Sequence, residues 1–267
     1  MVPVPKHDAP ADASSAAGVH GARAVDYGSY LALDELLGLQ RPRSTPEHPD
    51  ELLFIIVHQA SELWFKVILH EFDALIDRLA AADAPGALQC IKRINGLVGI
   101  VSNQLSALDT LPPQRFAQFR GYLGSSSGSQ SEQFRAIEAV SGLRDAHFMQ
   151  ALAEHGEIPA LVARALERPT LQQLFESLLA AHDMTVEQLY ASNAHVTLLL
   201  LAEELLEYEQ GFTRWRFLHV QLVERIIGPG TGGTGGTLGA KYLQRTISQR
   251  FFPNLWAVRA TLYGATT

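Results

Sequence analysis

His58 lies in LLFIIVHQASELWFK with Phe54 four residues before it and Glu62 four after, so on a helix the three share a face. A His and a Glu at that spacing can ligate a metal, but a zinc site needs a third protein ligand, and none stands nearby. His70-Glu71 is not completed to H-E-x-x-H, because position 74 is Ala, which argues against a zinc protease. The plainer alternative is a core histidine bonded to backbone, with Lys66 placed to pair with Glu62. His219 sits in RWRFLHVQLVER, otherwise apolar and basic. A neutral imidazole on a helix is either a packed side chain or a haem axial ligand. Arg120 stands beside Gly121 and a small-residue run, where a guanidinium can clamp a carboxylate with two parallel hydrogen bonds.

Residues 228–239, GPGTGGTGGTLG, formally match G-x-G-x-x-G at Gly228, Gly230 and Gly233. A dinucleotide site would need a preceding strand and an acid about 20 positions on, and neither is present. Lys241 is flanked by Ala240 and Tyr242, so no phosphate-binding P-loop is formed. What remains is a linker, or a loop whose amides and Thr hydroxyls can fold over an anionic group.

Composition narrows the chemistry further. The chain of 267 residues has ten histidines and one cysteine, Cys90. That excludes an internal disulfide framework, thiolate clusters and covalent c-type haem, and leaves histidine as the soft ligand. Hydrophobic residues make up 47% and charged residues 18%, against about 25% in a typical soluble domain, so much surface is expected to be buried. The net charge of −7 argues against a nucleic-acid partner. Residues 225–267 contain no acid and carry +5, leaving −12 on residues 1–224. Such an end suits an anionic ligand, an acidic neighbour or a solvated basic face. The Ala-, Pro- and Ser-rich residues 1–24 read as a disordered tail without a secretory core, and the apolar run near Val196 is too short for a bilayer. A cytoplasmic protein with no membrane partner is expected.

These residues must be positioned by helices. Apolar residues at three- and four-residue steps predict long helices over about 49–82 and 87–108, the second stopped by Pro112 and Pro113. A short helix is predicted over 31–39, a loop over 121–131, and helices over 133–141, 146–154, 161–166 and 171–181. Two long helices follow over 186–210 and 213–227, then two short ones over 240–248 and 253–263. Without hairpins or strand–helix alternation, the expectation is a single all-α domain over 25–267, packed as a bundle.

The blocks YGSYL (27–31), ELLFIIVHQASELWFK (51–66), FRGYLGSSSG (119–128), QSEQFR (130–135), RWRFLHVQLVERIIG (214–228), GTGGTLGAKYL (233–243) and FFPNLWAVR (251–259) are far more specific together than any one motif. Over residues 27–262 the chain resembles the tryptophan 2,3-dioxygenase family. The resemblance implies an all-α helical bundle enclosing a non-covalent b-type haem, in a homotetramer built as a dimer of dimers. It implies cleavage of the indole C2–C3 bond of L-tryptophan with O2 to give N-formylkynurenine. It assigns His219 to the haem iron and His58 to the distal pocket as the catalytic histidine near the indole N–H. Phe54 and Leu123 would bury the indole, Arg120 would bind the carboxylate, and Thr234 the amino-acid end. Ser127 and Gly128 would lie near haem and substrate. Tyr27, Tyr30 and Leu31 would complete the pocket from a neighbouring subunit.

The sequence departs from the family pattern at Phe116 and Phe134, where Tyr is usual, and at Ser129, where an aromatic is usual. Its glycine loop is lengthened, and alignment of GTGGTLG favours Thr234 over Thr231. These departures keep a second reading open: an indole oxygenase of secondary metabolism acting on a substituted substrate such as β-methyltryptophan, inserting one oxygen atom. A non-catalytic haem-binding protein and a helical scaffold without haem are the readings from other classes.

Overall fold

The computed structural model describes residues 25–144, 146–153, 156–232, 240–262 and 264, and among them every regular element is helical. The expected tail over 1–24 lies outside the described residues. They fall into two compact units, one ending at Leu39 and one beginning at Gln40. The first holds α1 (Tyr27–Leu31) and α2 (Leu33–Leu37). Asp26 caps α1 by accepting from the Ser29 amide at 2.8 Å. Ala32 then turns left-handed, with φ of 49°, and separates α1, which starts ahead of the helix predicted over 31–39, from α2, which falls within it.

The second unit runs α3 (Glu51–Ala80), α4 (Ala84–Gln104), a 3-10 turn (Leu105–Thr110), α5 (Pro113–Arg120), two further 3-10 turns (Gly121–Leu123 and Gly128–Gln130), α6 (Glu132–Ser141), α7 (Ala146–Ala153), α8 (Ala160–Glu167), α9 (Leu171–Ala180), α10 (Val186–Ala191), α11 (Val196–Ile227), α12 (Ala240–Thr246) and α13 (Pro253–Leu262). Helices α3 and α11 pack on either side of α4, with α6 and α9 against α3. Ile68, Phe72 and Leu75 of α3 meet Ile91, Ile94 and Val98 of α4 and Leu201, Leu205 and Tyr208 of α11 in one core. Each buried Ile, Leu or Phe contributes about 1.5–3 kcal/mol. That outweighs the roughly 1 kcal/mol that each interior glycine of α4, Gly96 and Gly99, costs the helix. By length and composition α3 alone among the described helices is apolar enough to cross a membrane. Its Phe65, Ile68 and Phe72 face the protein core instead.

Three local departures from the sequence pattern have physical causes. The helices predicted over 186–210 and 213–227 are redivided: the chain leaves the helix at Ser192, and α11 then runs unbroken for 32 residues. Ser192 Oγ accepts from the Ala194 amide at 3.1 Å, a local bond that competes with the helix ladder. Gly211 does not end a helix because it serves packing: a Cβ there would lie 3.0 Å from Val98 Cγ1. α4 ends at Gln104 and passes into a 3-10 turn ahead of Pro112 and Pro113, which start α5, since a proline at the first helical position loses no hydrogen bond.

The acid-free C-terminal stretch is tied down within the chain. Glu209 is fully buried. It accepts from the amides of Phe251 (2.7 Å) and Phe252 (2.8 Å), Arg250 Nη1 (3.0 Å) and Trp256 Nε1 (2.6 Å). Arg259 Nη2 pairs with Glu203 at 2.6 Å. Two of the five C-terminal cations therefore answer acids of α11. Glu209→Ala should cost about 3 kcal/mol or more, because it strands four donors, one of them charged. Urea unfolding should read that loss, and limited proteolysis should show new cleavage near residues 250–262.

Candidate active site

Glu51 fixes the entry to α3. It is buried and accepts from the amides of Arg43 (2.7 Å) and Ser44 (3.0 Å) and from Ser44 Oγ (2.5 Å). One turn into the helix, Phe54 lies 5.5 Å from Phe116 and 5.8 Å from Phe119, between ring centroids. Leu123, Ile226 and Ile227 pack on that aromatic wall, so α3, α5, the 3-10 turn after it and the end of α11 converge there. His58 stands next, its ring centroid 4.2 Å from that of Phe54. A second apolar cluster joins Val57, beside His58, to Leu222, three residues beyond His219, with Phe54 and Trp215 on its flanks.

His58 Nδ1 lies 2.7 Å from the Phe54 carbonyl oxygen. A carbonyl only accepts, so Nδ1 carries the proton and Nε2 of the neutral ring is an acceptor. Burial among protein atoms lowers the proton affinity of His58, against the opposing pull of the Phe54 carbonyl and the Glu62 charge. The residue still meets solvent. The backbone-bonded arrangement is thus present, while no group of three or more metal-ligating side chains forms among the described residues. Lys66 does not pair with Glu62. Gln133 Nε2 takes that carboxylate instead, at 2.8 Å, and also bonds the Glu62 carbonyl at 2.9 Å.

His219 is held more firmly neutral. Burial, assisted by His58, pushes its pKa down to about 4. Its ring lies 5.0 Å from that of Trp215, one turn earlier, which in turn lies 4.9 Å from Phe134. His219 Nδ1, Trp215 Nε1 and two nitrogens of Arg216 are buried without a hydrogen-bond partner. An unmade buried bond costs about 1–3 kcal/mol. His219 and Trp215, one turn apart on α11, thus leave ring nitrogens for a group the polypeptide does not itself supply, while the Arg216 guanidinium lies over Phe251 and bonds Glu138. A neutral imidazole with such surroundings fits a haem iron.

Arg120 ends α5 and donates from Nη2 to the Gly232 carbonyl at 2.5 Å, tying the site to the start of the glycine-rich segment. Thr234, two residues on, lies outside the described residues. Ser127 Oγ lies 2.9 Å from Ser129 Oγ, and the Ser127 amide donates to Gln130 Oε1 at 3.0 Å. A Cβ on Gly128 would meet nothing within 4 Å, so this turn borders open space. Arg135 donates to the Ser129 carbonyl at 3.3 Å and to Glu138 at 2.7 Å, and Glu138 takes Arg216 of α11 at 3.1 Å. Tyr27, Tyr30 and Leu31 belong to α1 of the first unit, with exposed side chains. A separate recess of about 330 Å³ lined by Glu176, Thr185, Glu187 and Asn254 contains none of these residues. Sequence reading passed over Trp215, Gln133 and Glu138. Trp215 alone had a readable signal, its four-residue step from His219.

Fold and site define an all-helical protein that offers two neutral imidazoles, one with its acceptor nitrogen fixed, beside an aromatic wall and an arginine. The family model for tryptophan 2,3-dioxygenase matches residues 11–179 and 177–262, and the chain belongs to that family. It is 42% identical over 264 residues to a tryptophan 2,3-dioxygenase of Kineococcus radiotolerans, spanning 90% of this chain and 92% of the relative. To that of Herpetosiphon aurantiacus it is 43% identical over 262 residues, spanning 90% and 99%. To that of Caulobacter vibrioides it is 38% identical over 265 residues, spanning 90% and 100%.

The depressed pKa of His219 has a stability consequence. As pH falls from about 6.5 to about 4, the unfolded chain takes up a proton that the folded chain refuses. The stability present above that window should decline through it in the cofactor-free protein. Urea titrations at several pH values should show a shallower decline in His219→Gln.

Proposed function

We propose that this chain is a haem-dependent tryptophan 2,3-dioxygenase that cleaves the indole C2–C3 bond of L-tryptophan with O2 to give N-formylkynurenine. The observation that carries the reading is His58 with Nε2 fixed as an acceptor, together with His219 held neutral beside unpartnered polar atoms, in a chain of this family. His219 would hold a b-type haem, whose iron supplies the binding and activation of O2 that no side chain provides. His58 Nε2 accepts the indole N–H and so orients the ring. Phe54 and Leu123, backed by Phe116 and Phe119, bury the indole and exclude water.

Arg120 pairs with the substrate carboxylate, exchanging part of its bond to Gly232, and Thr234 holds the ammonium end. Ser127 and Gly128 border the substrate. Tyr27, Tyr30 and Leu31 are donated by a neighbouring copy in a homotetramer, a reading supported by the family and by the exposure of these side chains in the single chain. The enzyme works in the cytoplasm in this reading.

One observation favours a second reading, a substituted indole amino acid that gains one oxygen. Ser129 is small where the family pattern has an aromatic, and a Cβ on the neighbouring Gly128 would meet nothing within 4 Å, which supports a bulkier substrate. Reaction of the haem-loaded, reduced protein with tryptophan under 18O2 is expected to give a product carrying two labelled atoms. A product with one, or turnover of β-methyltryptophan alone, would replace the first reading by the second. Arg120→Ala should raise KM for tryptophan about 10- to 100-fold, the worth of a charge-assisted hydrogen bond. Binding of tryptamine, which lacks the carboxylate, should not change.

A further inference from the structure

We propose that Glu62, gripped by Gln133, is a positioning residue for this reaction: its uncancelled carboxylate charge makes His58 Nε2 a stronger acceptor for the indole N–H. The inference deepens the site of the proposed function and rests on the role given there to His58. Glu62 follows His58 by four residues on α3, the spacing that places two side chains on one helix face. The carboxylate is not free to wander, because Gln133 at the start of α6 bonds both its Oε2 and the Glu62 carbonyl.

The partner's chemistry matters. A lysine in that position would have cancelled the charge, whereas an amide orients the carboxylate and leaves the charge whole. Lys66, which the spacing offered as a partner, is exposed, and Glu62 forms no ion pair among the described residues.

Two titratable groups of the described residues interact electrostatically with His58: Glu62 on its own helix and His219 from α11. The Phe54 carbonyl and the Glu62 charge together oppose the burial that would otherwise weaken the basicity of the ring. A more basic nitrogen is a better hydrogen-bond acceptor, as when a carboxylate backs a metal-bound histidine.

The test is Glu62→Gln, which keeps an acceptor for Gln133 and removes the charge, in the haem-loaded protein. The His58 titration is read by 15N NMR of labelled histidine in the diamagnetic ferrous carbon monoxide complex, with His58→Ala for assignment. Binding is measured at neutral pH for tryptophan and for its benzofuran isostere, which lacks the N–H donor. The variant is expected to titrate at lower pH and to bind tryptophan several-fold more weakly, with binding of the isostere unchanged. Gln133→Leu, which keeps the charge but frees the carboxylate, should show a smaller change in the same direction. An unmoved His58 titration, or equal weakening for both ligands, would overturn the proposal. Failure of the wild-type protein to form N-formylkynurenine would remove the proposed function instead, and the titration would still judge Glu62.

Discussion

Val57 and Leu222 share one apolar cluster, and through it the first turns of α3 approach the last turns of α11. His58 and His219 lie in these turns. Their relation is set by the residues beside them, by α4 wedged between the long helices, and by the 3-10 turn that follows α4 and reaches both. Because cores of this density respond to a change of even one methylene, a small shift in that cluster would move both imidazoles. The aromatic wall of Phe54, Phe116 and Phe119 is likewise set against these helix ends.

Charge placed in the interior does a different job. Glu138 between Arg135 and Arg216 lies in a dry environment, where desolvation offsets much of the attraction. Its value is in geometry: Arg135 also bonds the Ser129 carbonyl, so one carboxylate relates the turn carrying Ser127 and Gly128 to the helix carrying His219. Glu209, ten residues before His219, does the same for the C-terminal helix through two amides, an indole and a guanidinium. Both carboxylates thus relate two segments, and Glu209 also satisfies two backbone amides that no apolar side chain could.

Much of this was legible in the sequence. The three- and four-residue steps of Leu, Ile and Val located α3, α4, α6 and α9 to within a few residues, because those helices bury one face of a common core. The failures occurred where a residue has two uses. Gly211 reads as a helix breaker, yet it sits under Val98, a contact hidden from any reading of α11 alone. Pro113 reads as a stop and instead starts α5. At the site, the shared face of His58 and Phe54 and the place of Arg120 beside a Gly- and Ser-rich run followed from the local sequence. The partnership of Glu62 did not, because Gln133 is 71 positions away and reaches it only after α6 packs on α3. Thr234 lies outside the described residues, so its role still rests on the family's motif.

The two imidazoles show how one residue type is given two tasks by its surroundings. Burial lowers the proton affinity of both, more strongly that of His219, while His58 still meets solvent. The difference lies in what each Nδ1 meets. In His58 the Phe54 carbonyl fixes one tautomer, and the free nitrogen can only accept. In His219 no acceptor claims Nδ1, and the nearby Trp215 indole N–H is equally unclaimed. A ring whose tautomer is fixed in the polypeptide suits a constant partner such as an N–H donor. A ring whose tautomer is left open is completed only by what binds to it, as an axial ligand is. The backbone bond at Phe54 therefore separates the two roles as firmly as position in the fold does, and the charge held at Glu62 acts on the first ring alone.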